Sequence, residues 1–347
     1  MGGKVVPRTP LAVSCAHLPQ TGTLLLSGTA NVFRWLDFSA TDPLDIPLVG
    51  RHGSLQRVSA CIRAAHAAKV FGADIVVTHD PRISFVVQHF LKLYGYRGPH
   101  LATAFNYPWL PTGYKGAFHR WGFRGIDKFV VSSRIERRLY HEYFNIPLDR
   151  LEFMHYGHSP HPVDSADRPY IDGDYICALG EQARDYRTFL ESVRRLPEIK
   201  VVMVVRPKNI VGLDIPANVR IMTNIPDSHA MNVLAFSRFM VLPLDSAYVP
   251  CGHITLVNAM QLGKAIAITR SEGVTDYVCE GENALMFSVG GVDEMTEVLR
   301  RMWYDRELCT RLGEAGRAFA AEHCGEAATL AGFMQILKEL GVRLETS

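Results

Sequence analysis

Apolar residues from position 55 onward fall alternately into helix-spaced and strand-like runs, an order that predicts parallel sheets covered by helices. Val58, Cys61, Ile62, Ala65 and Val70 recur at helical spacing behind Ser54, a good capping residue, and Gly72 ends the run. Short buried strands are expected over 74–79, 100–105 and 128–132, with helices over 83–94 and 134–144. The scheme then repeats, with strands over 175–179, 200–205, 219–222, 239–242 and 265–269. Helices over 186–196, 228–236 and 254–262 separate them, and three more near 292–304, 307–323 and 327–340 close the chain. Residues 1–53 follow no clear turn pattern, although 12–15 and 23–26 read as candidate strands. Pro160, Pro162 and Pro169 stand among Asp and Ser with little apolar periodicity, so 158–174 is the expected linker. It divides a domain over 1–157 from one over 175–325, with a closing helix in 326–347 able to cross back to the first domain.

Composition agrees with two domains: 347 residues, 48% hydrophobic and 21% charged, exceed one ordinary core. No stretch approaches the roughly 20 apolar residues of a spanning helix. The start of the chain lacks the apolar region of an export signal, which predicts a cytoplasmic location. Seven cysteines, odd in number and never spaced as CxxC, argue against disulfides and zinc. The net charge of +2 conceals an asymmetry: residues 1–150 hold 18 Lys and Arg against 9 Asp and Glu, and the remainder 19 against 26. A basic first half suits an anionic partner, such as the inner face of a membrane or a phosphorylated lipid, or is a solvated face. No nucleic-acid-binding motif accompanies it, so nucleic acid is not expected as a partner.

Two tandem doubly wound domains place their chemistry in loops after the strands. In the run from Gly180 to Tyr186, a loop after a strand opens a helix, and backbone amides with Arg184 can meet a diphosphate there. The bland reading of this loop is a turn glycine, with Arg184 paired to Asp185 or Glu181. In the second loop Gly252 allows close backbone approach, and the N–H groups of His253, Ile254 and Thr255 stand at a helix start. Thr255 and Asn258 lie on adjacent turns and can bind ribose or sugar hydroxyls. An ordinary buried helix capped at Gly263 is the alternative.

The run from Gly252 through Ala259-Met260 to Gly263-Lys264-Ala265-Ile266 resembles the donor-site signature of family-4 glycosyltransferases, which are retaining enzymes of the GT-B type. Asn224-Ile225-Pro226-Asp227, Gly281-Glu282-Asn283, Gly290-Gly291 and Phe129-Val130-Val131-Ser132-Ser133 fall in that family's order, so the likeness covers roughly residues 70–335. It implies two Rossmann-like domains whose parallel sheets face each other across a cleft. It also implies transfer of a sugar from a UDP- or GDP-linked donor to a glycan or lipid-linked acceptor, in polysaccharide or glycolipid assembly. No cofactor or metal is expected, because helix termini and basic residues neutralise the leaving diphosphate. Asp172-Gly173-Asp174 spells a metal-binding DxD but sits in the linker.

The pattern departs from the family where two glutamates eight positions apart are usual, since Pro250 and Asn258 occupy those places. Asp245 and His253 are possible stand-ins. The family's basic pair is replaced by Glu181 and Arg184, with Arg206 or Lys208 as the second charge. A histidine common near the reacting sugar is Asn106 here, and His79 matches another position that faces the cleft. The resemblance therefore implies reacting groups among His79, Asn106, Arg184 and His253. Gly180, Arg206, Lys208, Ile225, Asp245, Gly252, Ile254, Thr255 and Asn258 would hold the donor. Missing carboxylates also fit a GT-B protein that only binds nucleotide sugar or glycan; an epimerase needs acid and base groups not found together here. In Tyr107–Arg124 aromatic and basic residues interleave, as on a membrane interface, an acceptor platform or a core.

Overall fold

The computed structural model describes residues 9–16, 28–39, 53–107, 109–159 and 169–343. The candidate strand over 23–26 lies outside them. The chain forms two compact units, one of residues 1–154 with 326–347, the other of residues 155–325. Among the described residues, no helix is long and apolar enough to cross a membrane.

The first unit carries strands β1 (Leu11–Ala16), β2 (Arg34–Ser39), β3 (Ile75–His79), β4 (His100–Thr103), β5 (Lys128–Val131) and β6 (Leu151–Phe153). They form one parallel sheet in the order β2-β1-β3-β4-β5-β6. Its helices are α1 (Gly53–Val70), α2 (Pro81–Leu93), α3 (Gly113–Gly122) and α4 (Arg134–Phe144), joined at the chain's end by α10 (Glu326–Glu339). Side chains alternate across each strand, and both faces are apolar. Leu11, Val13, Cys15 and Val76 pack against Ala60, Ala64 and Ala68 of α1 and Val87 of α2. Ala12, Ile75, Val77 and Leu101 point the other way, onto Phe333, Ile336 and Leu337 of α10. Small alanines let α1 lie close, while α10 supplies bulk to the opposite face.

The second unit repeats the design with β7 (Ile176–Leu179), β8 (Val201–Val205), β9 (Val219–Thr223), β10 (Phe239–Leu242), β11 (Ala265–Thr269) and β12 (Leu285–Phe287). The sheet order is β12-β11-β10-β7-β8-β9, again parallel. Helices α5 (Tyr186–Arg194), α6 (Asp227–Phe236), α7 (His253–Gln261), α8 (Val292–Tyr304) and α9 (Arg306–His323) cover it. Cys177, Leu179, Met240, Leu242, Ile266 and Ile268 face Leu256 and Met260 of α7. Ile176, Ala178, Val241 and Ala267 face Phe189 of α5, Leu299 of α8 and Leu312 of α9.

The doubly wound α/β class and most elements match the expectation to within one or two residues at their ends. Strands β2, β6 and β12 escaped it, and all three lie at sheet edges. β2 mixes Arg34 and Asp37 among its apolar residues, while β6 and β12 span only three residues each. In the acidic pair of the expected linker, Asp174 faces Arg306 and stands 3.6 Å from Arg238.

Because α10 is the cover for one sheet face of the first unit, Leu337→Ala should lower that unit's stability by about 2–5 kcal/mol. Urea denaturation of the whole chain reads this as an earlier first transition; an unmoved midpoint would show that α10 does not complete that core.

Candidate functional site

In a doubly wound sheet, consecutive connections leave in opposite directions from one pair of neighbouring strands, and the loops at their carboxyl ends diverge there to form a crevice. In the second unit that pair is β7 and β10. The loops that follow them are hydrogen-bonded to each other: Asp185 N–H donates to Pro243 O at 3.0 Å, and Asp245 N–H to Ala183 O at 3.3 Å. Arg184 and Leu244 form a bridge between them. Ala183 takes a left-handed backbone (φ 52°), a conformation uncommon for a residue with a side chain and one that two-sided pairing sustains.

Arg184 occupies the centre of this arrangement. Its Nη1 donates to Gln182 O at 2.6 Å, its Nε to Leu179 O at 3.4 Å, and its Nη2 to Thr255 Oγ1 at 3.4 Å. Gly180 makes room for it, while Gly252 lies at ordinary contact distance. A Cβ on Gly180 (φ 119°) would lie 2.6 Å from Nη2, and one on Gly252 (φ 91°) would lie 3.5 Å from Nη1. The expected role of Gly180 is thereby altered: its amide already donates to Val204 O at 3.2 Å, and its missing side chain admits the guanidinium. Nor is Arg184 paired with Asp185 or Glu181; its partners are carbonyls, the Thr255 hydroxyl and, at 3.9 Å, Cys251 Sγ.

Helix α7 starts beside that guanidinium. Gly252 is its cap residue and provides no side-chain hydrogen bond, while the first intrahelical bond runs from Leu256 N–H to Gly252 O. The N–H groups of His253, Ile254 and Thr255 precede that bond and form the positive end of the helix dipole. Ile254 turns its side chain outward, 56% exposed. The His253 imidazole, expected among the reacting groups, is instead turned into the core. Its Nε2–H donates to Gly273 O at 2.8 Å, its ring lies 4.9 Å from that of Tyr277, and burial lowers its pKa to about 4. Pro250 packs on the same Gly273, where a Cβ would come within 2.5 Å of the proline Cα. Asn258 is buried one turn further along, and its Oδ1 has no hydrogen-bond partner among the described residues.

The remaining expected donor groups stand around this centre. Arg206 Nε and Lys208 Nζ both reach the Glu181 carboxylate, at 3.3 and 2.5 Å, and lower its pKa, Lys208 more strongly. Exposed pairs of this kind contribute little stability, about 0–1 kcal/mol, so the trio is readily rearranged by an incoming anion. Arg206 Nη1 also donates to Asn224 Oδ1 at 3.2 Å, next to Ile225 in the loop after β9. Asp245 is exposed; partial burial raises its pKa, with Asp185 adding to the effect.

The first unit has its own divergence point at β1 and β3, and His79 ends β3 there. Thr103 Oγ1 donates to Thr78 O at 3.1 Å and so must accept from His79 Nδ1–H at 2.6 Å. This leaves the Nε2 lone pair as the acceptor of a neutral ring, whose pKa burial lowers to about 4. Asn106 lies in the loop after β4 and belongs to a separate group, its Nδ2 donating to Glu136 at 2.6 Å. Glu136, fully buried in the first turn of α4, was not among the residues expected from the sequence. The spacing Ser133-Arg134-Ile135-Glu136 is a capping-box signature that could have drawn attention to it.

With this geometry in view, residues 206–319, about a third of the chain, match the family described as "Glycosyl transferases group 1". The lipopolysaccharide core biosynthesis glycosyltransferase LpsE of Rhizobium meliloti (strain 1021) is 25% identical over 186 residues, which are 50% of this chain and 53% of that protein. The chain thus spans about half the length of the curated relative it matches. Two solved structures are similar over nearly the whole chain. One is a sucrose-phosphate synthase from Thermosynechococcus elongatus, 15% identical, with a TM-score of 0.70 and coverage of 96% of this chain and 99% of that one. The other is Anabaena Alr3699/HepE in complex with UDP-glucose, 10% identical, with a TM-score of 0.72 and coverage of 95% and 99%. At such identities the likeness speaks for the fold, which is GT-B, with two Rossmann-like domains.

Proposed function

We propose that this chain is a glycosyltransferase that moves a sugar from a nucleoside diphosphate sugar to a hydroxyl of a glycan or lipid-linked acceptor. One observation carries the proposal: the Arg184 guanidinium is held against the positive end of α7, with no carboxylate among its hydrogen-bond partners. Two positive poles side by side repel, and an anion between them removes the cost. The leaving diphosphate is the anion assigned to that place, with a UDP or GDP donor as substrate. Residues 206–319 fit this reading by their match to group 1 glycosyl transferases, and the HepE structure, which holds UDP-glucose, shares the fold.

In this reading the amides of His253, Ile254 and Thr255 and the Arg184 guanidinium neutralise charge as the glycosidic bond breaks. Arg206 and Lys208 exchange Glu181 for a phosphate oxygen, Ile225 holds the base through its backbone, and Asn258 binds the ribose. Charge neutralisation is assigned to these groups, with none reserved for a metal. His253 is retained for its amide and not for its ring. Retention of anomeric configuration, membership of family 4 and a role in polysaccharide or glycolipid assembly belong to the proposal through the signature from Gly252 to Lys264. On α3, Tyr114, Phe118 and Trp121 are exposed along one face, with Lys115 beside them. They support peripheral contact between the basic first half and the inner face of a membrane.

A second reading, a GT-B protein that binds a nucleotide sugar without turning it over, draws on Pro250. That position holds no carboxylate and packs against Gly273. Nucleotide release from a bound sugar nucleotide separates the two, since a binding protein releases none.

Thermal unfolding against UDP, GDP, ADP and CMP and their sugars tests the site directly. One diphosphate nucleotide should raise stability by about 2.7 kcal/mol at a hundredfold excess over its Kd. Arg184→Ala should abolish that shift and slow transfer by about 100-fold or more while the chain still unfolds cooperatively; a full shift in the variant removes Arg184 from the site. Gly180→Ala should weaken the nucleotide shift through displacement of Arg184, at a backbone cost of about 1–3 kcal/mol, and an unchanged shift would show that the glycine slot is not needed. For the membrane contact, sedimentation with anionic phospholipid vesicles should fall several-fold in a Phe118→Ser, Trp121→Ser double variant. Equal sedimentation of the double variant and the parent chain would exclude α3 as the contact.

A further inference from the structure

The first unit holds a cavity of about 570 Å³ walled by the carboxyl-terminal halves of α2 and α3. It lies beside His100, the first residue of β4, and Asp127, which precedes β5, and so at the amino ends of the strands. Its size falls in the range of about 300–1,000 Å³ that small-molecule sites occupy. Doubly wound sheets gather their ligands at the opposite, carboxyl ends, so the winding of the sheet does not account for this cavity.

Lys92, Arg97 and Arg124 belong to the lining, and none of the three meets a carboxylate among the described residues. At the end of α5, by contrast, Arg194 is paired with Asp214 at 2.8 Å and Arg195 with Asp293 at 2.5 Å. The Lys92 ammonium lies 5.7 Å from the centre of the Trp121 ring instead. Asp127, the carboxylate of the lining, is engaged by the backbone and accepts from His100 N–H at 2.8 Å. Gln88 is oriented as well. Its Oε1 accepts from His100 Nδ1–H at 2.6 Å, and an amide oxygen only accepts, so both side-chain donors sit on Nε2. That nitrogen stands beside Gly125, where a Cβ would come within 2.1 Å of it, and no hydrogen bond engages it among the described residues.

Helix ends explain part of the charge. Lys92 is in the last turn of α2 and Arg124 follows α3, where a cation offsets the negative end of the dipole. Arg97 serves neither helix, because it lies in the loop between α2 and β4. Like charges lining one cavity raise each other's energy, and an anion that accepts from all of them lowers it. The donors come from three segments, α2, the loop before β4 and the turn after α3. That spread suits the tetrahedral oxygens of a phosphate better than the flat pair of a carboxylate.

We propose that this cavity binds a phosphate ester, its oxygens met by Lys92, Arg97, Arg124 and Gln88 Nε2 and its carbon part laid against the Trp121 ring. None of the donor-binding groups is involved, and the site stands whether or not the chain transfers sugar. Trp121 belongs both to the cavity and to the exposed aromatic face of α3, so the same chemistry serves a soluble ester and a phospholipid head group.

Two probes separate these sources: glycerol 3-phosphate, followed by calorimetry, and phosphatidylglycerol vesicles, followed by sedimentation. The full chain is compared with an Arg97→Gln, Arg124→Gln double variant, both positions being exposed, and with a charge-matched Arg137→Gln, Arg138→Gln pair on α4. At least one probe should bind, about tenfold or more weakly in the first pair and unchanged in the second. Binding of glycerol 3-phosphate marks a soluble ester, and a response to vesicles alone marks a head group. Equal losses in the two pairs reduce the effect to net charge and overturn the site, as does a chain that binds neither probe. Arg184→Ala should leave the binding unchanged; its loss there would move the ligand to the second unit and overturn the proposal. Location is read separately from the Trp121 indole N–H signal by NMR, assigned through its disappearance in Trp121→Phe. The signal should shift with glycerol 3-phosphate or with soluble dihexanoyl phosphatidylglycerol, whichever class binds, and a fixed signal during binding would place the ligand elsewhere.

Discussion

Burial of both faces of a parallel sheet confines the chemistry of this chain. Strands in the sheet interior such as Ile176–Leu179 and Val201–Val205 are apolar on both sides, so a polar group placed mid-strand there would lose its water without a replacement partner. Polar groups gather at strand ends, and the carboxyl ends at the divergence point are where two loops part widely enough to leave room. Arg184, Gly252 and Thr255 collect there in the second unit, and His79 in the first, because the winding of the sheets leaves those places open.

Within that constraint the two units solve opposite electrostatic problems. In the second, positive poles are concentrated: the guanidinium of Arg184 lies against the α7 start, and glycine at 180 removes the side chain that would hold it off. Four acceptors meet the guanidinium in the free chain, and no carboxylate is among them. Beside it, Arg206 and Lys208 share Glu181, an exposed cluster that water screens and a ligand can reorganise. A rigid cation and two adaptable ones suit a ligand whose charge increases as it leaves.

The first unit encloses a negative group instead. Glu136 is deep enough for its pKa to rise and well enough hydrogen-bonded to remain part of a packed structure. Its partners come from the β4 loop, the end of β5 and α4, so it ties three segments whose relative placement the sheet alone would leave loose. The aromatic cluster around Phe105, Tyr107, Phe123 and Tyr140 packs beside it and keeps water away. Rigidity of the β4 loop thus derives from one buried carboxylate and the rings around it.

Much of the architecture was determined by local pattern. Helical spacing located α4 and α8, and unbroken apolar runs located β10 and β11, because burial on both faces writes a signal into every position. The Gly252 loop and Arg184 could be singled out for the same reason: glycine before a helix and a cation after a strand have meaning within a few residues. Edge strands β2, β6 and β12 could not, since β2 mixes charged with apolar residues and three residues are too few to show a period in β6 and β12. Tertiary structure alone decided which way side chains turn. His253 looks like a ligand-facing histidine in sequence, but Gly273, twenty positions on, takes its proton donor and Tyr277 its ring face. Asn106 and Glu136, thirty positions apart, meet only because β4 and β5 are neighbours in the sheet. Contacts of that range depend on the order of strands, which no local spacing encodes.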